Sequence, residues 1–263
     1  MNQLIEAHGG RFNVEIDGPS GAPWLVLSHS LGSALGMWRR QVPAFRQHFR
    51  VLRYDTRGHG ASAVTAGPYT IAQLGTDVLG LLDALGIERA FFCGLSLGGA
   101  TGLWLAKHAP DRFFRLVICN TLPWLGPPDL LNARIEAVRR DGLGPLVDAT
   151  MQRWFTPQFR AQDPQALRDI RSAFLATPIE GYVACCEALR DYDERADLDR
   201  ISRPLLVVAG AQDAAPPLAA ARAFAAQVRG ADWVELPAAH LSNVEAAGQF
   251  NAAVLRFLGA TPG

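Results

Sequence analysis

The chain has 263 residues, of which 49% are hydrophobic, and its 25 basic side chains balance its 25 acidic ones. A chain of this length can bury a full hydrophobic core, which excludes a disulfide-stapled miniprotein and a disordered protein. Zero net charge excludes the electrostatic surface typical of nucleic-acid and anionic-membrane binders, so we expect a small-molecule partner and neither of those two. Composition leaves the oligomeric state open.

Two features of the sequence concern the cellular compartment. The first residues carry acidic and polar side chains where a signal peptide has a basic start and an apolar stretch, so we expect a cytoplasmic protein. Cysteines stand at four positions without a CxxC pair or zinc-ligand spacing, namely Cys93, Cys119, Cys185 and Cys186. We therefore expect reduced thiols that fill the core.

Short apolar runs recur along the chain with amphipathic stretches between them, a pattern typical of buried parallel strands joined by helices. The alternating residues 11–16 predict an antiparallel edge strand ahead of the parallel set. Buried strands are predicted at residues 24–29, 51–55, 90–94, 115–119 and 205–209. Helices are predicted at residues 71–85, 97–108, 218–228 and 245–257. The fold class is therefore α/β, with a mostly parallel central sheet and helices on both faces.

The alternation of strands and helices stops between residues 121 and 198. That segment reads as short helices separated by Gly, Pro and Asp punctuation, and a strand resumes at Leu205. We therefore predict an α/β core of residues 1–120 and 199–263, with residues 121–198 inserted into it as a helical segment.

A candidate nucleophile lies in the sequence Gly94-Leu95-Ser96-Leu97-Gly98. It follows a predicted strand and precedes a predicted helix, which is the context of a G-x-S-x-G nucleophile elbow. A side chain in place of either glycine would crowd the neighbouring strand and helix. The alternative is a glycine-rich connection in which Ser96 only caps the helix.

A serine nucleophile needs a histidine base and a carboxylate later in the chain. Asp213 follows the predicted strand at 205–209, and His240 follows a further strand-like run at 233–236. Because parallel strands end at the same edge of a sheet, these loops are expected to converge on Ser96. The alternatives are a helix cap for Asp213 and a polar niche for His240.

An oxyanion hole needs two backbone amides near the nucleophile. The amide of Leu97 is the first candidate, and Leu31, in the loop after the strand at 24–29, is preferred over Ser30 for the second. His29 is a second candidate base, although a histidine beside such a loop more often braces it.

The segment 55–62 is a polar turn in which Asp55 and Arg57 are expected to pair. We interpret it as scaffold, with binding of a substrate anion by Arg57 as the alternative. No cluster of His and acidic residues has metal-ligand spacing, and no dinucleotide-binding pattern is present, so neither a metal nor a cofactor is expected.

The segments SHSLGS, YDTRGHGAS, GLSLGG, AGAQDAAPP and AAHLSN, in this order, resemble the α/β-hydrolase superfamily. Within it, RWFTPQF and GYVACCEALRDYD make the chain similar to the 3-oxoadipate enol-lactonases. The resemblance implies an α/β-hydrolase fold with residues 121–198 as a helical lid. It also implies Ser96 as nucleophile, Asp213 as acid, His240 as base, and oxyanion amides at Leu31 and Leu97.

The sequence departs from that family at Leu97, where Met is common, at His29, where Asn is common, and at Leu131, where a tryptophan is usual. The first change nearly conserves volume. At Leu131, either Trp124 or Trp154 would fill the space. Arg134 is a candidate for the substrate carboxylate, with a solvated helix charge as the alternative.

The activity that the resemblance implies is opening of the lactone ring of 3-oxoadipate enol-lactone by a cofactor-free serine hydrolase, in the β-ketoadipate pathway of aromatic breakdown. One alternative keeps Ser96, Asp213 and His240 for a different carboxylesterase, lactonase or perhydrolase. Another is a ligand-binding protein on a hydrolase scaffold.

Overall fold

The structure is a computed structural model that describes residues 3–260. Its strands form one sheet in the order β1-β2-β4-β3-β5-β6-β7-β8. The strands are β1 (Gln3–Ala7), β2 (Gly10–Asp17), β3 (Trp24–Ser28), β4 (Arg50–Tyr54), β5 (Ala90–Leu95), β6 (Phe113–Cys119), β7 (Leu205–Gly210) and β8 (Asp232–Leu236). The α-helices are α1 (Val42–Phe45), α2 (Ile71–Ala84), α3 (Leu97–His108), α4 (Asp129–Asp141), α5 (Val147–Trp154), α6 (Pro157–Gln162), α7 (Pro164–Leu175), α8 (Ile179–Arg190), α9 (Leu218–Gln227), α10 (Ser242–Glu245) and α11 (Ala247–Leu258).

The sheet is parallel from β4 to β8 and is buried on both faces at its centre. Leu25, Val26 and Leu27 of β3 are all 0% exposed. Because successive residues of a strand point to opposite faces, helices must cover both faces. The predicted α/β fold class, with a mostly parallel sheet, is confirmed.

The first strands differ from the prediction. The predicted edge strand is β2, and it is antiparallel as expected, but it lies between β1 and β4 and is not at the edge. The edge is β1, whose residues are mostly exposed. Only Ile5 and Ala7 of β1 are partly buried against the core, and so short an apolar alternation explains why the sequence did not indicate the strand.

The predicted helices lie where the structure has them, with one correction. The helix expected at 245–257 is α11, which begins two residues later, at Ala247, because Glu245 ends the short helix α10 and the backbone of Ala246 (φ −109°, ψ 42°) is not helical. Helix α3 has the predicted bounds. Within residues 3–260, none of the helices is long and apolar enough to cross a membrane.

Five helices, α4 to α8, lie between β6 and β7 in the chain, although these two strands are neighbours in the sheet. Helix α8 contacts α4 and also packs closely on the core, because Gly181 of α8 lies against Gly58 in the turn after β4. The assignment of residues 121–198 as a helical lid stays a prediction.

The connections after β3, β5, β6, β7 and β8 begin at the carboxyl ends of adjacent parallel strands. They carry Leu31, Ser96, Asn120, Asp213 and His240 respectively. Side chains remote in sequence therefore meet at one edge of the sheet.

Candidate active site

Ser96 occupies a sharp turn between β5 and α3. Its backbone has φ 58° and ψ −111°, a left-handed conformation that is strained for a residue with a side chain. A Cβ on Gly94 would lie 2.1 Å from the Gly98 carbonyl oxygen, and one on Gly98 would lie 2.1 Å from the Ser28 carbonyl oxygen. The expected crowding at both glycines is confirmed, and close packing of β3, β5 and α3 holds the strained turn in place.

Asp213 and His240 form a buried pair. His240 Nδ1 lies 2.8 Å from Asp213 Oδ2 and donates to the carboxylate, and both side chains are less than a tenth exposed. Burial alone would raise the pKa of Asp213, but the charge of His240 and the hydrogen bonds from His240, Asn120 and the Ala215 amide bring it below its ordinary value. Asp213 is therefore held ionised beside the imidazole.

Asn120 supports this pair and was not predicted from the sequence. Its Nδ2 donates to Asp213 Oδ2 at 2.9 Å and to the Ala239 carbonyl oxygen at 3.4 Å. Ser242 Oγ donates to Asn120 Oδ1 at 2.6 Å, so all three amide contacts agree on one orientation of the side chain. The available signal was its position directly after β6, which is equivalent to that of Ser96 after β5.

Ser96 and His240 line the same cavity, of about 270 Å³. With Nδ1 bound to Asp213, the imidazole has Nε2 available for a proton from the serine. Among the hydrogen bonds of residues 3–260 there is none between Ser96 Oγ and His240. Such contacts often form only when substrate is bound.

The wall of the cavity is mainly apolar. Most of the residues that line the cavity belong to the segment 121–198. The apolar lining residues from that segment include Leu122, Leu125, Leu130, Leu131 and Leu189, and the loop after β7 adds Pro216 and Pro217. A ligand in this cavity is therefore shielded from water on several sides, which strengthens any electrostatic contact it makes.

Two arginines, Arg134 and Arg153, supply the positive charge of the cavity wall. Burial lowers the pKa of Arg153, and the nearby positive charge of Arg134 lowers it further. Within the described part of the chain, neither guanidinium forms a salt bridge with a carboxylate. The sequence analysis indicated Arg134 but missed Arg153. Arg153 lies in the segment RWFTPQF, where no local pattern distinguishes it from an arginine exposed to solvent.

The two candidate tryptophans have different positions. Trp154 lines the cavity together with Leu131, and its ring contacts Phe174 edge-on at 5.8 Å between centroids. Trp124 is not among the lining residues, and its ring lies under the Arg195 guanidinium at 4.2 Å. Of the two, only Trp154 is placed to fill the space beside Leu131.

The loop of residues 30–32, which carries one of the two predicted oxyanion amides and is called the oxyanion loop below, lines the same cavity as Ser96. Leu31 lines the cavity, and Leu97 is the first residue of α3 directly after Ser96. Among residues 3–260, neither amide donates a hydrogen bond to another protein group, so both are available to a ligand. His29 is completely buried, which fits the bracing role expected of it and not that of a second base.

The prediction that Asp55 pairs with Arg57 is wrong. Arg57 makes a two-point contact with Asp77, in which its Nε donates to Asp77 Oδ2 at 2.9 Å, and both side chains are 2% exposed. Asp55 instead accepts from the amides of Leu35 and Ala61 and from Asn13. Arg57 does not line the cavity, so its alternative role in anion binding has no support, and the partner on α2 was too remote in sequence to predict.

Comparison with known proteins identifies the relatives of this chain. Residues 23–247 match the family model of the alpha/beta hydrolase fold. The chain is 44% identical to 3-oxoadipate enol-lactonase 2 of Acinetobacter baylyi over 254 residues, which cover 97% of this chain and 95% of that one. The enol-lactonase from Burkholderia xenovorans LB400 has a crystal structure that matches with a TM-score of 0.96 and 46% identity, covering 98% of this chain and 100% of that one.

A hydrolase from Pseudomonas aeruginosa PA01 matches with a TM-score of 0.95 and 46% identity over 98% of both chains. These matches confirm the resemblance to the 3-oxoadipate enol-lactonases that was inferred from the sequence segments. They extend over nearly the whole chain, so the similarity includes the segment 121–198 as well as the sheet.

Proposed function

Because the chain belongs to the α/β-hydrolase fold family, we propose that it is a serine hydrolase that opens the lactone ring of 3-oxoadipate enol-lactone. The product is 3-oxoadipate, in the β-ketoadipate pathway of aromatic breakdown. Relatives named 3-oxoadipate enol-lactonase, at 44% and 39% identity, support this substrate. The observation that carries the proposal is one cavity lined by Ser96, His240 and two arginines without a carboxylate partner.

In the proposed mechanism, Ser96 Oγ attacks the lactone carbonyl carbon while His240 Nε2 takes the hydroxyl proton. Asp213, held against His240 Nδ1 at 2.8 Å, orients the imidazole and stabilises the imidazolium that forms. The amides of Leu31 and Leu97 donate to the oxyanion of the tetrahedral intermediate. Asn120 acts through Asp213, as a positioning residue.

Collapse of the intermediate breaks the bond between the acyl carbon and the ring oxygen, which leaves as an enolate. The imidazolium of His240 protonates this leaving group, and the resulting enol tautomerises to the ketone. His240 then takes a proton from water, the oxygen of that water adds to the acyl carbon, and Ser96 leaves with the proton returned by His240. The scheme uses only side chains and backbone amides, so it requires neither a cofactor nor a metal.

A negatively charged substrate accounts for the two arginines in the cavity wall. An adipate has two carboxyl groups, and closing one of them into a lactone leaves the other as a carboxylate. We assign this carboxylate to Arg134 and Arg153, whose guanidinium groups share the cavity with Ser96. Trp154 and Leu131 would contact the lactone ring.

We also propose that residues 121–198 are a lid over the site and that residues 1–120 and 199–263 are the core, of which 1–2 and 261–263 lie outside the described residues. Support comes from the cavity wall, which is built largely from α4, α5 and α8 and the residues after β6. A lid of this kind keeps water from the oxyanion and increases the strength of the arginine contacts.

The rival functions lack an explanation for the arginines. A carboxylesterase, lactonase or perhydrolase with a neutral substrate would leave two partly buried cations without a salt-bridge partner, which is unfavourable. A binding protein would not need Asp213 held ionised against His240. Hydrolysis of an anionic lactone accounts both for the two arginines and for the ionised Asp213 beside His240.

We place the reaction in the cytoplasm. The four cysteines are buried free thiols, and Cys93 and Cys119 have their sulfurs 4.0 Å apart without a bond. Free thiols this close support a reducing compartment.

The test compares hydrolysis of 3-oxoadipate enol-lactone with that of its methyl ester, which has the same ring but no negative charge, and with p-nitrophenyl acetate. We expect kcat/KM to be highest for the anionic lactone. Ser96→Ala should lower kcat by on the order of 10⁶ because the nucleophile is lost. Equal kcat/KM for all three esters would contradict the substrate assignment, and full activity of Ser96→Ala would contradict the mechanism.

A further inference from the structure

The peptide that carries the Leu31 amide is held from its other side by His29. His29 Nδ1 lies 2.8 Å from the carbonyl oxygen of Ser30, which belongs to the same peptide unit as the Leu31 N–H. Because a trans peptide is planar, its C=O and N–H point in opposite directions. A donor fixed on the Ser30 oxygen therefore also fixes the direction in which the Leu31 N–H points, and it polarises that N–H.

The contacts of the His29 ring establish which nitrogen carries its proton. His29 Nε2 accepts a hydrogen bond from the Thr56 amide at 2.9 Å, so this nitrogen has no proton of its own. Nδ1 must then be the protonated nitrogen, and it donates to the Ser30 oxygen. With both nitrogens bound to backbone groups and the ring fully buried, His29 is not free to act as a base for Ser96.

His59 holds the next amide of the oxyanion loop. Its Nε2 accepts from the Gly32 amide at 2.9 Å, while Nδ1 lies 3.4 Å from the Arg57 carbonyl oxygen. Both peptide units that flank Leu31 are therefore hydrogen-bonded to an imidazole: the preceding one to His29 and the following one to His59. The two rings also contact each other edge-on at 5.3 Å between centroids.

The electrostatic environment favours the neutral rings that these contacts require. Burial lowers the pKa of His29, with Asp55 opposing this effect. Burial, with the neighbouring His29, lowers the pKa of His59 to about 3. Each ring can thus accept a hydrogen bond from a backbone amide at neutral pH.

The backbone of His29 also contacts the residue that follows the second oxyanion donor. Its backbone carbonyl accepts from the Gly98 amide at 3.1 Å, next to Leu97 in the first turn of α3. The residue therefore connects the loop that carries one donor with the helix that carries the other. A shift of His29 would change the separation between the two amides.

We propose that His29 and His59 are positioning residues that aim the Leu31 amide into the oxyanion hole. His29 acts through the Ser30 carbonyl and His59 through the Gly32 amide. This assignment rests on the proposed serine mechanism, but it holds for any ester that Ser96 attacks. Their contribution is expected in the transition state, where negative charge develops on the oxyanion.

The test uses two variants at each histidine that keep one ring contact and remove the other. An asparagine places its side-chain nitrogen near the position of Nδ1, and a glutamine places its terminal amide near Nε2. For His29 the Nδ1 contact is the important one, so His29→Asn should keep kcat within about fivefold, while His29→Gln should lower it by roughly 10- to 100-fold. For His59 the order reverses, because Nε2 holds the Gly32 amide: His59→Gln should be active and His59→Asn impaired.

Two readouts distinguish positioning from a merely structural role. KM for p-nitrophenyl acetate should stay within about twofold, because the hydrogen bond is needed only in the transition state. The affinity for an aryl trifluoromethyl ketone, which forms a tetrahedral oxyanion adduct with the serine, should fall by the same factor as kcat. Thermal melts of the four variants test whether each is folded. If one pair does not fold, the other pair tests the same loop.

Equal kcat values for the asparagine and glutamine variants at both positions would overturn the proposal. So would a loss of kcat without any loss of affinity for the ketone. Failure of the unmodified protein to hydrolyse 3-oxoadipate enol-lactone would instead contradict the proposed substrate, and p-nitrophenyl acetate would still report on the two histidines.

Discussion

Arg134 and Arg153 show how single side chains determine the substrate in this proposal. Both lie in a mainly apolar wall, and the pKa of Arg153 is lowered by its burial and by the charge of Arg134. Two cations that repel each other in a partly buried site are stabilised by an anion that binds between them. Asp213 opposes the lowering of the Arg153 pKa from a distance, but no carboxylate of residues 3–260 forms a salt bridge with either guanidinium, so we assign the substrate carboxylate as their partner.

Replacing Arg153 with alanine should therefore affect charged and neutral substrates differently. We expect KM for the anionic lactone to rise about 10- to 100-fold, because a charge-assisted hydrogen bond is lost. KM for p-nitrophenyl acetate should change by less than about twofold. Steady-state kinetics on the two esters measure this difference.

Arg139→Ala is the matched control, because Arg139 also belongs to the inserted helices but is exposed and paired with Glu187. It should leave both KM values unchanged. If Arg153→Ala raised the two KM values by the same factor, the guanidinium would act on the cavity shape and not on the substrate charge.

At the scale of elements, the contact of α8 with the turn after β4 connects the inserted helices to the core. Gly181 and Gly58 lie so close that a Cβ on Gly181 would be 2.0 Å from the Gly58 carbonyl oxygen. Tyr182, the next residue of α8, lines the cavity, and His59, the next residue of the turn, holds the oxyanion loop. One glycine contact therefore positions both the wall and the loop.

Gly181→Ala should push α8 away from this turn. We expect a loss of about 1–3 kcal/mol in the free energy of unfolding, typical of overpacking a well-packed contact, together with a lower kcat/KM. Urea denaturation and ester hydrolysis measure the two effects. Gly144→Ala in the same inserted segment is the control, because a Cβ on Gly144 would meet no atom of residues 3–260 within 4 Å. Unchanged stability of Gly181→Ala would show that the contact can relax.

For the whole molecule, the buried neutral histidines make stability depend on pH. The pKa of His59 is about 3 in the folded protein and near 6.5 in the unfolded chain, so between these values the unfolded state binds the extra proton. Stability from this residue is fully present above the unfolded value and is lost as the pH falls toward the folded one. His29, whose pKa is also lowered, contributes in the same direction.

The free energy of unfolding should accordingly decrease between about pH 6.5 and about pH 3, with a slope of up to about 1.4 kcal/mol per pH unit from His59 and a further decrease in the same direction from His29. His59→Gln should remove one such contribution and flatten the curve. Denaturant titrations at several pH values test this, and parallel curves for the parent and His59→Gln would contradict it.

Local patterns in the sequence were sufficient to predict much of the scaffold. The apolar runs predicted β3 to β7 to within about two residues at each end, because a buried strand needs apolar side chains on both faces. The glycines around Ser96 predicted the tight turn, since only a residue without a side chain fits there. The order of Ser96, Asp213 and His240, each after a strand of the parallel set, predicted that they would meet at one edge of the sheet.

The tertiary structure alone decided which remote groups come into contact. Arg57 pairs with Asp77 and not with Asp55, Asn120 supports Asp213, and Arg153 joins Arg134 in the cavity. Each of these partners is chosen by the packing of whole elements, and a polar side chain looks the same in the sequence whether it faces water or a buried charge. Periodicity and turn residues reflect the local backbone, and therefore determined the elements, whereas burial and distance across the fold determined the partners.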